Sequence, residues 1–178
     1  MKKNTIYTIG HSTRSLEDFM SMLNSFKVKV VADVRRFPGS RKYPQFNQES
    51  LKSSLEEAGI EYIHMLDLGG RRKARKDTKN TTWNNVSFRG YADYMETEEF
   101  ENAVSKLEVI ALKQTTVYMC SEAVWWRCHR SMVSDYLMAK GWEVLHIMGI
   151  DKSQEHKYTA PANVYEQKVS YAEEDRTE

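Results

Sequence analysis

The sequence contains only two cysteines and three prolines, and no apolar run long enough to cross a membrane. Two cysteines cannot build a disulfide scaffold, so we expect a reducing, cytoplasmic location. A spanning helix needs about 20 apolar residues, and the start of the chain is too polar for a signal peptide. The net charge of +1 excludes strong overall attraction to nucleic acid, so such binding would need local clusters of charge.

Cofactor motifs are also missing. Neither GxxxxGK[ST] nor GxGxxG occurs, which excludes the nucleotide P-loop and the dinucleotide fingerprint. Cys120, Cys128 and His129 are zinc-ligand types, but no CxxC pair is present and adjacent Cys and His side chains rarely point at one ion. We therefore expect no cofactor and no metal, with zinc as the less favoured alternative.

Short apolar runs alternate with amphipathic segments through the first 150 residues. This alternation predicts an α/β fold, a single Rossmann-like domain with a mostly parallel five-stranded sheet and helices on both faces. We expect the strand order 3-2-1-4-5, which places the first and fourth strands side by side. The expected strands are 5–9, 28–34, 61–65, 115–119 and 142–147, and the expected helices begin at 16, 48, 91 and 98 and after 130.

Two segments fall outside this alternation. Residues 66–90 show neither the apolar period of a helix nor that of a strand, so we expect a long loop within the 1–150 domain. Loops of this length are typical of lids and binding segments. The loop carries a run of basic residues before Trp83, which is either a solvated face or a surface for phosphates and stacked bases. Residues 151–178 are polar, and we expect a loosely held tail.

Polar residues follow three of the expected strands, in the runs GHST, DVRR and CSE. Because the carboxyl ends of parallel strands share one edge of the sheet, these residues should meet in a cleft. Asp33 lies inside an apolar strand and needs a partner, either Arg35, Arg36 or His11. The anion-binding candidates are Ser12, Arg35, Arg36, Ser121, Arg127, His129 and Arg130.

The turn CSEAVWWRCHR, between the fourth strand and the last helix, is the richest in chemistry. A cysteine at a helix start near arginines can become a thiolate nucleophile, although free cysteines often only pack. The spacing from Cys120 to Arg127 is one residue longer than a CX5R phosphatase loop, which argues against phosphatase chemistry through such a loop. Trp125 and Trp126 either stack on a base or pack the turn down. The catalytic candidates are His11, Glu122, Cys120 and Cys128.

The motifs TIGHS, ADVRRFP and LGG, with CSE followed by CHR, resemble those of the DUF488 family over about residues 5–150. The resemblance implies a cytoplasmic prokaryotic α/β domain without a stated activity, and it carries a hint of DNA repair. It strengthens the choice of site residues and leaves the reaction open.

Three functions fit these residues. The first is a hydrolase or transferase that acts on a phosphate-bearing ligand, a nucleotide or nucleic acid, under the long basic loop. The second is a non-catalytic module that senses such a ligand, and the third is a thiol-based redox sensor. The expected partner is an anionic small molecule or nucleic acid, and no membrane. The sequence makes no prediction of oligomeric state.

Overall fold

The computed structural model describes residues 2–173 as an α/β fold. The strands are β1 (Thr5–Gly10), β2 (Val30–Asp33), β3 (Glu61–His64), β4 (Thr116–Cys120), β5 (Glu143–Gly149), β6 (Lys152–Glu155), β7 (Asn163–Tyr165) and β8 (Lys168–Ser170). The helices are α1 (Leu16–Ser25), α2 (Gln48–Glu57), α3 (Val86–Met95), α4 (Glu98–Lys113) and α5 (Arg130–Ala139). Short 3₁₀ helices cover Pro44–Phe46, Leu66–Leu68 and Trp125–Arg127.

The central sheet has six strands in the order β3-β2-β4-β1-β5-β6. Its first five strands are parallel, which confirms the predicted Rossmann-like class, and β6 adds an antiparallel edge. The predicted neighbours β1 and β4 do pair, but the predicted order 3-2-1-4-5 is wrong because β2 pairs with β4 instead of β1. Both β1 and β4 are largely buried, so their apolar patterns alone did not decide which one lies beside β2.

Helices cover both faces of the sheet, as predicted. One core contains Phe19 of α1 and Leu51 and Leu55 of α2. The other contains residues from α3, α4 and α5, among them Tyr91 and Phe100. Side chains along each strand alternate between these cores, so Met119 faces α1 and α2 while Cys120 belongs to the same core as α5.

Local signals explain where the helices start and stop. The backbone N–H of Asp18 donates to Ser15 Oγ at 3.0 Å, which caps α1, and serine is among the residues that favour this position. Asn47 precedes α2 but does not cap it, since its Oδ1 accepts from the N–H of Ser40. Gly141 follows α5 with a φ of 100°, a left-handed conformation that glycine adopts without strain.

The segment after residue 150 differs from the predicted tail up to residue 173. Strand β6 pairs with β5, β7 and β8 form a two-stranded sheet, and Tyr171 is buried with its hydroxyl donating to Asp135 at 2.8 Å. The sequence does not predict β6, because every residue of this strand is exposed and the strand therefore has no apolar alternation. The end of the predicted tail, residues 174–178, lies outside the described residues.

Candidate functional site at the carboxyl edge of the sheet

The ends of β1, β2 and β4 surround a cleft of about 670 Å³. Strand pairing continues past the strand ends, because the N–H groups of His11 and Ser12 donate to the carbonyls of Cys120 and Ser121 at 3.0 and 2.9 Å. The structure brings together at this cleft ten of the predicted site residues, namely His11, Ser12, Arg35, Arg36, Cys120, Ser121, Glu122, Arg127, Cys128 and His129. The eleventh, Arg130, does not line the cleft.

Asp33 has the partner that the sequence required, and that partner is Arg35. The Arg35 Nε and Nη2 atoms donate to the two carboxylate oxygens of Asp33 at 2.9 and 2.7 Å, and both residues are buried. The hydroxyl of Tyr62 also donates to Asp33 Oδ2, at 2.5 Å. Arg35 lines the wall of the cleft, but it contributes little net charge there because Asp33 neutralises the guanidinium of Arg35.

His11 is held at both ring nitrogens. Its Nε2 lies 3.2 Å from Arg35 Nη1, and because arginine can only donate, Nε2 accepts. Nδ1 therefore carries the proton and donates to the carbonyl of Ser12 at 2.9 Å. Burial, with the nearby Arg35 charge, lowers the pKa of His11 to about 4, so the ring is neutral at pH 7. This environment favours a positioning role over the predicted acid–base role.

The low pKa of His11 makes stability depend on pH. The unfolded chain binds the proton near pH 6.5 and the folded chain only near pH 4, so stability is full above pH 6.5 and is lost as the pH falls towards 4. We expect His11→Asn to reduce the loss between pH 7 and pH 5 by roughly 1–2 kcal/mol. Urea unfolding of both proteins at the two pH values measures this difference, and an unchanged loss in the variant would contradict it.

The two cysteines are in contact at the base of the cleft. Their Sγ atoms are 2.8 Å apart, and the N–H of Arg130 donates to Cys128 Sγ at 3.4 Å. Burial acts to raise the pKa of Cys128, but the hydrogen bond with Cys120 and the charge and N–H of Arg130 outweigh it, so the pKa is lowered. Burial and the hydrogen bond to Cys128 raise the pKa of Cys120 well above its usual value. Cys128 is therefore the better thiolate of the pair.

The side-chain carboxylate of Glu122 is exposed, whereas its backbone carbonyl bonds to a buried residue. Among residues 2–173 the carboxylate forms no salt bridge, even with the nearby arginines. Its carbonyl accepts from Arg130 Nη2 at 3.0 Å. A Cβ atom at Gly10 would lie 1.6 Å from that carbonyl oxygen, so residue 10 must be glycine for the loop to pack there.

Arg130 lies below the cleft, although the sequence predicted it as an anion-binding residue. Its side chain is 1% exposed, and Nη1 donates to Thr8 Oγ1 at 3.1 Å while Nη2 holds the Glu122 carbonyl. The guanidinium thus supports the loop from below and does not reach a ligand in the cleft. The sequence could not show this, because the first residue of α5 points inward only once the helix direction is known.

A hydrogen-bonded chain beneath Arg130 was missed by the sequence reasoning. Thr8 Oγ1 lies 2.6 Å from His146 Nδ1, His146 Nε2 lies 2.9 Å from His156 Nδ1, and His156 Nε2 lies 2.8 Å from Asp135 Oδ1. All four side chains are buried. The chain links the segment after β5 to the floor of the site, and the only signal for it was a histidine within β5 and another just after β6.

The basic loop is mostly tied to α3 and contributes one arginine to the cleft. Arg75 Nη2 pairs with Glu96 at 2.6 Å, and Arg72 lies 3.7 Å from the centre of the Tyr94 ring. Arg71 lines the cleft. Beside it, Gly70 leaves room for the ring of His129, because a Cβ there would lie 2.8 Å from His129 Nδ1.

The tryptophans of the turn pack instead of facing the cleft. Trp125 is buried and stacks on His146 with the ring centroids 4.6 Å apart. Trp126 is half exposed and makes an edge contact with Trp125. Neither lines the cleft, and the packing alternative describes Trp125, while half of the Trp126 side chain stays exposed.

The described part of the chain offers no metal centre and no spanning helix. Between residues 2 and 173, no group of three His, Cys, Asp or Glu side chains is placed to hold a metal ion. Over the same residues, no helix has the length and apolar character needed to cross a membrane.

The mostly parallel six-stranded sheet, with a cleft at the carboxyl ends of β1, β2 and β4, defines an α/β protein of the Rossmann-like class. The chain belongs to the DUF488 family, described as a domain of unknown function, which matches residues 15–137. This match confirms the resemblance drawn from the motifs, although TIGHS precedes the matched residues. Comparisons with curated proteins and with solved structures found no match.

Proposed function

We propose that the cleft binds a phosphate-bearing ligand and that the protein acts on it as a hydrolase or group transferase. The observation that carries the proposal is the charge of the cleft wall. Arg36, Arg71 and Arg127 line it, and their charges exceed the single carboxylate of Glu122, since Arg35 is neutralised by Asp33. Guanidinium groups are suited to phosphate because they offer two donors in one plane.

A nucleotide or nucleic-acid end fits this wall better than inorganic phosphate. Phe37 is 64% exposed at the cleft, and the Cζ atoms of Arg36 and Arg71 lie 5.7 and 5.6 Å from its ring centre. A base that stacks on Phe37 would bring its phosphate within reach of both arginines. If the ligand is a DNA end, the site would also suit the DNA-repair role that the family resemblance hints at.

The proposed reaction uses Cys128 as the nucleophile. Its thiolate attacks the phosphoryl or acyl group of the ligand, the leaving group departs with the bonding electrons, and a thiol-linked intermediate remains. Glu122, exposed on the same wall, then removes a proton from the incoming water or acceptor, which breaks the bond to sulfur. A reduced Cys128 also suits the expected cytoplasmic location.

The first experiment tests binding. We expect Arg127→Gln to weaken nucleotide binding by about 10–100-fold, because a hydrogen bond to a charged group contributes roughly 1.5–3 kcal/mol. Titration calorimetry with nucleoside mono- and diphosphates, inorganic phosphate and a phosphorylated DNA end measures the Kd values. Arg41→Gln is the matched control, because Arg41 is exposed and does not line the cleft. Equal Kd values for the two variants would refute the site.

The second experiment separates the enzyme from a non-catalytic binding module, which is the alternative function. We expect Cys128→Ser and Glu122→Gln to abolish turnover of the ligand that binds, while its Kd changes only a few-fold. If every ligand that binds is recovered unchanged from wild-type protein, the module is the correct description. The arginines would then serve recognition alone.

A further inference from the structure

Cys120 and Cys128 form a contact pair that the proposed group transfer does not need. Both are free thiols, both line the cleft, and their Sγ atoms are 2.8 Å apart. One ends β4 and the other precedes α5, so two rigid elements hold the sulfur atoms together. A nucleophilic cysteine alone would not require a second thiol within reach of its sulfur atom.

The surroundings give the two sulfur atoms different roles. Cys128 Sγ accepts from the N–H of Arg130, and once Cys128 has lost its proton, the thiol of Cys120 at 2.8 Å is left as the donor to the thiolate. The guanidinium of Arg130 is buried nearby and stabilises negative charge at this position. Cys128 is therefore the thiol that reacts first, and Cys120 is placed to react with the product formed on Cys128.

Access to the pair is narrow. The residues Cys120 and Cys128 are 2% and 6% exposed, and both line the cleft. A small oxidant such as hydrogen peroxide can approach the pair from there.

We propose that Cys128 and Cys120 are a peroxide-oxidised dithiol that closes to a reversible intramolecular disulfide. The Cys128 thiolate attacks one oxygen of hydrogen peroxide, the O–O bond breaks, and hydroxide leaves and becomes water after it takes a proton. The sulfenic acid on Cys128 is then attacked by Cys120, whose proton leaves with the departing hydroxyl as a second water. Peroxide gains two electrons, the two thiols lose them, and a dithiol reductant restores both thiols.

The inference is independent of the proposed anionic ligand, because it uses only the two thiols and a peroxide. It joins the proposed function at one point. A disulfide removes the Cys128 thiolate, so group transfer through that sulfur would stop in the oxidised protein and return on reduction.

The test treats the reduced full-length protein with hydrogen peroxide and follows mass and free thiols. We expect the mass to fall by two hydrogen atoms and the two free thiols to disappear, with dithiothreitol reversing both changes. We expect Cys120→Ser to stop at a sulfenic acid that dimedone traps. Cys128→Ser should consume peroxide at least about 100-fold more slowly, because the thiolate is the reacting form.

Several results would overturn the proposal. They are two thiols that survive peroxide, a disulfide that links separate chains on a non-reducing gel, and equal peroxide rates for the two serine variants. Alkylation of the wild-type protein provides a test that needs no variant. Iodoacetamide should label Cys128 before Cys120, as assigned by peptide mapping, and the reverse order would contradict the assigned roles.

Discussion

Gly10→Ala should lower the free energy of unfolding by roughly 3 kcal/mol, the upper range for overpacking a buried site. The added Cβ would lie 1.6 Å from the Glu122 carbonyl oxygen and 3.1 Å from Ala123 Cα. Both are backbone atoms, and Arg130 holds the carbonyl, so no flexible side chain can move aside. The loop between β4 and α5 must shift, and nucleotide binding should weaken with it.

Urea unfolding of the wild type, Gly10→Ala and Gly39→Ala measures this effect. Gly39 is the matched control because a Cβ there meets no atom within 4 Å and the residue also lines the cleft. We expect Gly39→Ala to change stability by less than about 0.5 kcal/mol. Equal midpoints for the two alanine variants would show that the loop does not pack on Gly10.

Asp33→Asn should be the most destabilising single change, with an expected loss of about 3–5 kcal/mol. The carboxylate is fully buried and accepts from Arg35 at two oxygens, from the N–H of Arg35 and from Tyr62. An amide cannot accept all of these bonds, and it leaves the buried guanidinium of Arg35 without its counter-charge. The cost is that of an uncompensated charge in the interior.

Chemical denaturation also measures this prediction, with two comparisons. Glu56→Gln removes an ion pair with Lys52 on the exposed side of α2, and we expect it to cost less than about 0.5 kcal/mol. Asp33→Asn combined with Arg35→Leu should regain part of the lost stability, because the orphaned charge is gone. If the double variant loses as much as the sum of its parts, desolvation of Arg35 does not explain the effect.

Local signals in the sequence predicted β1 to β5 and most of the site wall, whereas α3 begins at Val86, inside the predicted loop 66–90. Ser15 and Thr97 have the hydroxyl side chains that favour N-caps and do cap α1 and α4, and α5 ends before Gly141. Polar residues after three apolar strands predicted the cleft, because parallel strands align their carboxyl ends. Motifs and hydrophobic periodicity are formed by residues that lie close together in the sequence. Helix caps and strand ends depend only on such neighbours, so the sequence can predict them.

Features set by distant contacts could not be predicted. Nothing near Arg130 in the sequence indicates that its guanidinium turns inward to Thr8, and Gly10 shows its importance only when Glu122 lies against it. The exposed strand β6 has no apolar pattern, so its pairing with β5 left no trace in the sequence. The strand order is another such feature, because β1 and β4 are both apolar and buried, and their sequences do not show which of them pairs with β2.

The position of β1 inside the sheet also has a consequence for synthesis on the ribosome. Thr5 Oγ1 bonds to Glu143, a residue 138 positions later, and β1 has β4 and β5 as its neighbours. During synthesis β1 therefore stays unpaired until β4 and β5 have also been translated. Sheets that depend on such remote pairings fold slowly and expose strand edges meanwhile, so we expect slow folding of the nascent chain.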